Sequence, residues 1–230
     1  MAIFKINEKY VKPVALGVTG LYLCLAVMFF VPGVDIPCKV ALPVSLLFLA
    51  SLFLCPWQMI LAMLCSAAGD ILGARDCFIG QMGMFGLAHI WMIWFFVGRY
   101  LSKVEHDRRL TGKAKGYTAM LLLCAAALLI VVFVRIVPFA PVGIIRTGVG
   151  VYSVLICIML VMALLQRSSL YALGAVLFVF SDFILAWNMF TEPIPNAGAL
   201  ILVPYFLGQW LLFIRSSPYR IKSQIKLMRF

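Results

Sequence analysis

Acidic side chains are scarce in this sequence. Of 230 residues only 8 are Asp or Glu, against 19 Lys or Arg, and charged residues make up 12% of the whole. A soluble domain carries about twice that share, so a soluble globular protein is excluded. Histidine is rarer still, at 2 residues. The 7 cysteines, at positions 24, 38, 55, 65, 77, 124 and 157, form no CxxC pair and stand at no zinc spacing with either histidine. A structural zinc site of the usual kind is thereby excluded, and no metal or cofactor is expected. Long polar and low-complexity tracts are missing too, so residues 1–230 read as one integral membrane domain. What is abundant is apolar surface: 65% of residues are hydrophobic and the mean hydropathy is +1.09.

The excess of positive charge is confined to a few places. It gathers at the start (Lys5, Lys9, Lys12), in one segment (Arg99, Lys103, Arg108, Arg109, Lys113, Lys115) and at the end (Arg215, Arg220, Lys222, Lys226, Arg229). The positive-inside rule assigns such segments to the cytoplasm. Topology thus accounts for the charge, and no nucleic-acid partner is expected. The basic start leads into an apolar segment with no small-x-small cleavage site, so no cleaved signal peptide is expected.

A transmembrane helix needs about 20 apolar residues. On that scale the spans fall at 13–31, 39–55, 57–73, 79–98, 117–137, 142–165, 169–189 and 197–214. They are separated by "VPGVDIPC", "CPW", "GARDC", the basic loop 99–116, "PFAP", "QRSS" and "TEPIPN". An even number of spans places both termini and every strongly basic segment on the cytoplasmic side. The expected class is all-α: a polytopic membrane bundle of eight transmembrane helices with both termini cytoplasmic, in a bacterial cytoplasmic (inner) membrane. The outer connections then hold only Asp35 and Lys39, Arg75 and Asp76, and Glu192. Cys38 and Cys77 both fall at the outer face, where they are either free or paired as a disulfide.

At about 1.5 Å of rise per residue, Asp70 falls near the outer end of the third span and Asp182 in the outer half of the seventh. Lys39, Arg135, Arg146, Asn188 and Tyr205 also fall toward the outer side. His89 and Gln209 fall deeper. Polar groups enriched in one half of the membrane predict a pocket there. A weak internal repeat supports this reading. "GDILGA" answers "SDFILA", "FGLAH" answers "YFLGQ", and Lys39 and Arg146 follow equivalent breaks. The halves, 13–98 and 117–214, enter the membrane from the same side as two parallel four-helix repeats.

Asp70 and Asp182 are the only acids well inside spans. Each is either functional, the default for an intramembrane carboxylate, or paired with Lys39, Arg135 or Arg146 as a folding clamp. Gly69 and Gly73 form a GxxxG beside Asp70, and Gly80, Gly83 and Gly86 open the next span, which suits close helix packing. His89 is expected to orient or charge a carboxylate rather than to bind metal. Ser181 adjoins Asp182, yet neighbours point about 100° apart on a helix, which argues against a Ser–His–Asp triad. Lys39, Arg135 and Arg146 would either receive a lipid phosphate or snorkel. The five tryptophans are read as membrane-belt and packing residues.

The runs "GDILGA…FIGQMGMFGLAHIWMIWFF" and "LGAVLFVFSDFILAWNMF…LILVPYFLGQWLL" resemble the YhhN-like family of membrane proteins, which includes the lysoplasmalogenases. The similarity covers most of the chain and is strongest at 69–89 and 174–209. It implies an integral membrane hydrolase acting on a lysophospholipid, lysoplasmalogen, among membrane lipids and without a cofactor. The products would be a fatty aldehyde and a glycerophospho-base. The family's acidic pair maps onto Asp70 and Asp182. His89, Tyr205 and Gln209 would position water or tune the pair, with Ser181, Asn188 and the helix-6 Tyr152 in support. Lys39, Arg135 or Arg146 would meet the phosphate. Two other functions fit the same acids: a transporter or lipid-binding protein, and a hydrolase of another lysolipid.

Overall fold

A computed structural model describes residues 8–33, 36–106 and 112–217. The basic residues Lys5, Arg108, Arg109, Arg220, Lys222, Lys226 and Arg229, the acid Asp35 and both termini lie outside the described residues. The described chain is all-helical, with no strand. Its eight α-helices are α1 (Glu8–Phe29), α2 (Ala41–Leu54), α3 (Trp57–Gly73), α4 (Phe78–His106), α5 (Gly112–Arg135), α6 (Ile144–Leu164), α7 (Ser169–Phe190) and α8 (Ala197–Ser216). A single 3-10 turn, Val137–Phe139, lies between α5 and α6.

Six of these helices, α1 and α4 to α8, are long and apolar enough to cross a membrane. With 14 and 17 residues, α2 and α3 are shorter: the first is about 21 Å long against a hydrocarbon core of about 30 Å. The protein is a multi-pass membrane protein. Side chains such as Leu16, Leu123 and Val142 are 73%, 72% and 83% exposed, a pattern that suits lipid rather than water as the surrounding solvent.

One expectation is corrected. The segment 99–116 is not a loop throughout, because α4 runs on to His106 and α5 begins at Gly112. Hydropathy marks where the hydrocarbon ends, whereas a helix ends at a breaker. Residues 99–106 contain neither Gly nor Pro, so the backbone keeps its hydrogen bonds into the polar zone.

The chain forms two compact units. The first holds α1 to α3, α4 as far as Trp91, and α8 from Gln209. The second is Met92–Gly208. In the first unit α1 buries Ala15, Tyr22 and Ala26, a spacing that follows one face of a helix. α2 packs between α1 and α3. The GxxxG of α3 meets α4 directly. A methyl at Gly69 would lie 3.1 Å from the Phe85 ring, and one at Gly73 would lie 2.6 Å from the Gln81 side chain. The end of α8 is tied in by Trp210, whose Nε1 donates to Thr19 Oγ1 at 3.2 Å.

In the second unit α6 packs against both α5 and α7. The approach of α8 to α7 depends on Gly208. A methyl there would lie 2.9 Å from the Gly174 carbonyl oxygen and 3.2 Å from the Phe178 nitrogen. Backbone cannot swing aside as a side-chain tip can. Gly208→Ala is therefore expected to force α7 and α8 apart and destabilise the protein by about 1–3 kcal/mol, read as a lower melting temperature in detergent. An unchanged melting temperature would show that the helices do not pack this closely.

Candidate active site

In the first unit the polar groups sit in the core. Asp70, on the last turns of α3, is 4% exposed. Ser66, one turn earlier on the same face, is fully buried, as are His89 on α4 and Gln209 on α8. The packing of Phe85 on Gly69 holds α3 against α4 at the position beside Asp70. Tyr22 of α1 is buried and close enough to feel the Asp70 charge. Sequence alone does not single out this tyrosine. Its signal was modest: a single aromatic hydroxyl on the α1 face that carries Ala15 and Ala26. Lys39 is half-buried in the turn before α2, with its ammonium 5.2 Å from the centre of the Phe29 ring.

In the second unit α6 and α7 bring two of the expected residues together. The Tyr152 hydroxyl donates a hydrogen bond to Oδ2 of Asp182. Asp182 is half-buried, while the adjacent Ser181 is 1% exposed. The two side chains thus have different surroundings, as the helical turn between neighbours requires. Tyr205 is buried, its ring edge-on to Phe178 at 5.6 Å. A phenol O–H donates most strongly to an ionised carboxylate oxygen.

Of three other expected residues, two are occupied locally and the third is exposed. Asn188 Oδ1 accepts the Ile194 N–H at 2.8 Å and so shapes the turn after α7. Arg146 donates from Nε to the Ala140 carbonyl at 3.0 Å and from one Nη to the Pro138 carbonyl at 2.9 Å. It thereby closes the α5–α6 connection, where Gly143 takes a φ of 105° that favours glycine. Arg135 ends α5 with its side chain exposed, and its carbonyl accepts the Thr191 hydroxyl at 2.9 Å. Cys38 and Cys77 are both free thiols, so the disulfide alternative is set aside.

Comparison with known proteins extends the picture. The family model described as the YhhN family matches residues 36–216. The chain is 29% identical over 152 residues to lysoplasmalogenase TMEM86B of Homo sapiens, covering 66% of this chain and 59% of that protein. To lysoplasmalogenase TMEM86B of Sus scrofa it is 28% identical over 157 residues, covering 68% and 62%. For lysoplasmalogenase TMEM86B of Rattus norvegicus the figures are 30% over 158 residues, covering 68% and 60%. The chain spans about three fifths of the length of these relatives. No solved structure matches it. With most of its length matched, including both aspartate-bearing helices, the chain belongs to the YhhN family.

Proposed function

We propose that this protein is a membrane-embedded hydrolase that cleaves the vinyl ether bond of lysoplasmalogen by acid/base catalysis, with Asp70 and Asp182 sharing the two roles. The observation that carries the reading is the Tyr152–Asp182 hydrogen bond between α6 and α7, in a chain whose relatives are named lysoplasmalogenases. The burial of Asp70 on α3 supports it. An acid retained in a span at several kcal/mol of cost points to use.

The chemistry needs two carboxyls in different protonation states. A carboxylic acid delivers a proton to the β-carbon of the vinyl ether, and the ether oxygen shares the positive charge as an oxocarbenium ion. A carboxylate shields that charge and takes a proton from water as its oxygen bonds to the α-carbon. The hemiacetal then collapses: the carboxyl that took the proton from water gives it to the glycerol oxygen as that C–O bond breaks, and the first carboxyl, now ionised, takes the hemiacetal hydroxyl proton as the aldehyde C=O forms, which restores both groups. Asp182, held by a hydroxyl donor, suits the ionised role, which leaves the proton-donating role to Asp70. His89 and Gln209 in the first unit, and Tyr205 and Ser181 in the second, would position water and headgroup. Lys39 and Arg135 would meet the phosphate, while Arg146 presents only the N–H groups not given to the turn. We further propose that all eight helices cross the bilayer with both termini cytoplasmic, an arrangement that puts every strongly basic segment inside.

The test is aldehyde release from 1-alkenyl-glycerophosphoethanolamine by the full chain in detergent. Turnover without any membrane gradient is the expected result. Hydrolysis of an ester lysolipid with none of the vinyl ether would move the substrate to another class. Release from neither would leave the transporter or lipid-binding reading.

A further inference from the structure

The end of the second unit where α7 begins carries a cluster that the proposed hydrolysis does not use. Arg99, late on α4, lays its guanidinium carbon 5.5 Å from the ring centre of Phe95 and 5.7 Å from that of Tyr171. Phe95, Phe96 and Tyr171 are buried and pack on one another at 5.1 to 6.1 Å. Gln166 fastens the α6–α7 turn to this platform, its Nε2 donating to the Phe96 carbonyl at 2.9 Å. The next residue, Arg167, has a φ of 49° and holds its guanidinium 5.7 Å from the Tyr117 ring centre on α5. Two permanent cations thus flank one turn.

The Nε of Arg99 is buried and has no hydrogen-bond acceptor among the described residues. Ring faces satisfy the flat side of a guanidinium, but its N–H groups point outward in the plane and need acceptors there. The surrounding stretches 92–102, 116–125 and 163–173 contain no Asp or Glu, so these described stretches supply no carboxylate. The first-turn amides of α7 add the positive end of a helix dipole at the same place. An oxyanion with several in-plane oxygens matches this arrangement, and phosphate matches the fork of arginine.

We propose that Arg99 and Arg167 form a binding site for a phosphate group at the start of α7, about three and a half turns along that helix from Asp182. The group is either the headgroup of an acidic phospholipid or free phosphate, since both present the same oxygens. The site serves binding and takes no part in bond cleavage.

Calorimetric titration of the full chain in detergent micelles with phosphatidylglycerol, and separately with inorganic phosphate, tests this. Saturable binding of the lipid alone assigns a headgroup, and saturable binding of inorganic phosphate assigns the free ion. Arg99→Gln is expected to weaken binding about tenfold, with Arg99→Lys between it and the native protein, because an ammonium keeps the charge but loses the fork. Binding unchanged in Arg99→Gln, or no saturable binding of either probe to the native protein, overturns the proposal. Should Arg99→Gln fail to fold, the exposed Arg167 decides. A weakening of about threefold in Arg167→Gln supports the site, on the scale of one partly exposed charge-assisted bond, and no change overturns it.

Discussion

Asp182→Asn is expected to lower aldehyde release from lysoplasmalogen by about 10²–10⁴, the range for loss of a positioned general base or acid. The amide keeps the size of the carboxylate and still accepts the Tyr152 hydroxyl, so α6 and α7 stay in register. What it loses is the negative charge that, in the proposed mechanism, shields the oxocarbenium ion and takes the proton from water. Tyr152→Phe removes the donor but leaves the carboxylate, and a smaller loss of about tenfold is expected from one charge-assisted hydrogen bond. The ordering of the two variants, assayed at matched amounts of folded protein, is the informative result. Native turnover in Asp182→Asn would remove the two-carboxyl mechanism.

Asp70→Asn is expected to cost activity on the same scale, about 10²–10⁴, while the protein stays folded. The pairing of these two readouts separates function from a structural clamp. If Asp70 were one half of a buried ion pair, removing its charge would strand the partner, at about 3–5 kcal/mol. A carboxyl kept for chemistry carries its burial as a standing cost, and Asn at 4% exposure relieves that cost. The expected result is therefore lost aldehyde release with an equal or higher melting temperature in detergent. A large fall in melting temperature, with activity per folded molecule unchanged, would identify a clamp instead.

How much of this was legible in the sequence differs from element to element. The reading of 57–73 as one span coincides with α3, and that of 169–189 stops one residue short of α7 at Phe190. Both helices begin on the last residue of a strong break, Trp57 of "CPW" and Ser169 of "QRSS", and end where apolar residues give way to polar ones. Hydropathy ends α4 too early, at 98, because the residues up to His106 contain no breaker to stop the helix. Asp70 and Asp182 stood out because a carboxylate in an apolar run is costly wherever the helix points. Tyr22 did not, since an aromatic hydroxyl is ordinary in a membrane span until its neighbour is known. Asn188 and Arg146 looked like members of a polar pocket by depth alone. Their hydrogen bonds to Ile194, Ala140 and Pro138 depend on turn geometry, which depth does not encode.

The amino-acid order by itself determined that this is an all-helical membrane protein of the YhhN family, and which two acids lie within its spans. Hydropathy and charge are summed along the chain, so they can be read without knowing who touches whom. Only the tertiary structure decided that Tyr152 holds Asp182, that Gly208 lets α8 lie against the α7 backbone, and that Arg99 rests on a platform of buried rings. Each of these joins residues far apart in sequence through directions and distances of a few ångströms, and such contacts exist only once the helices are packed.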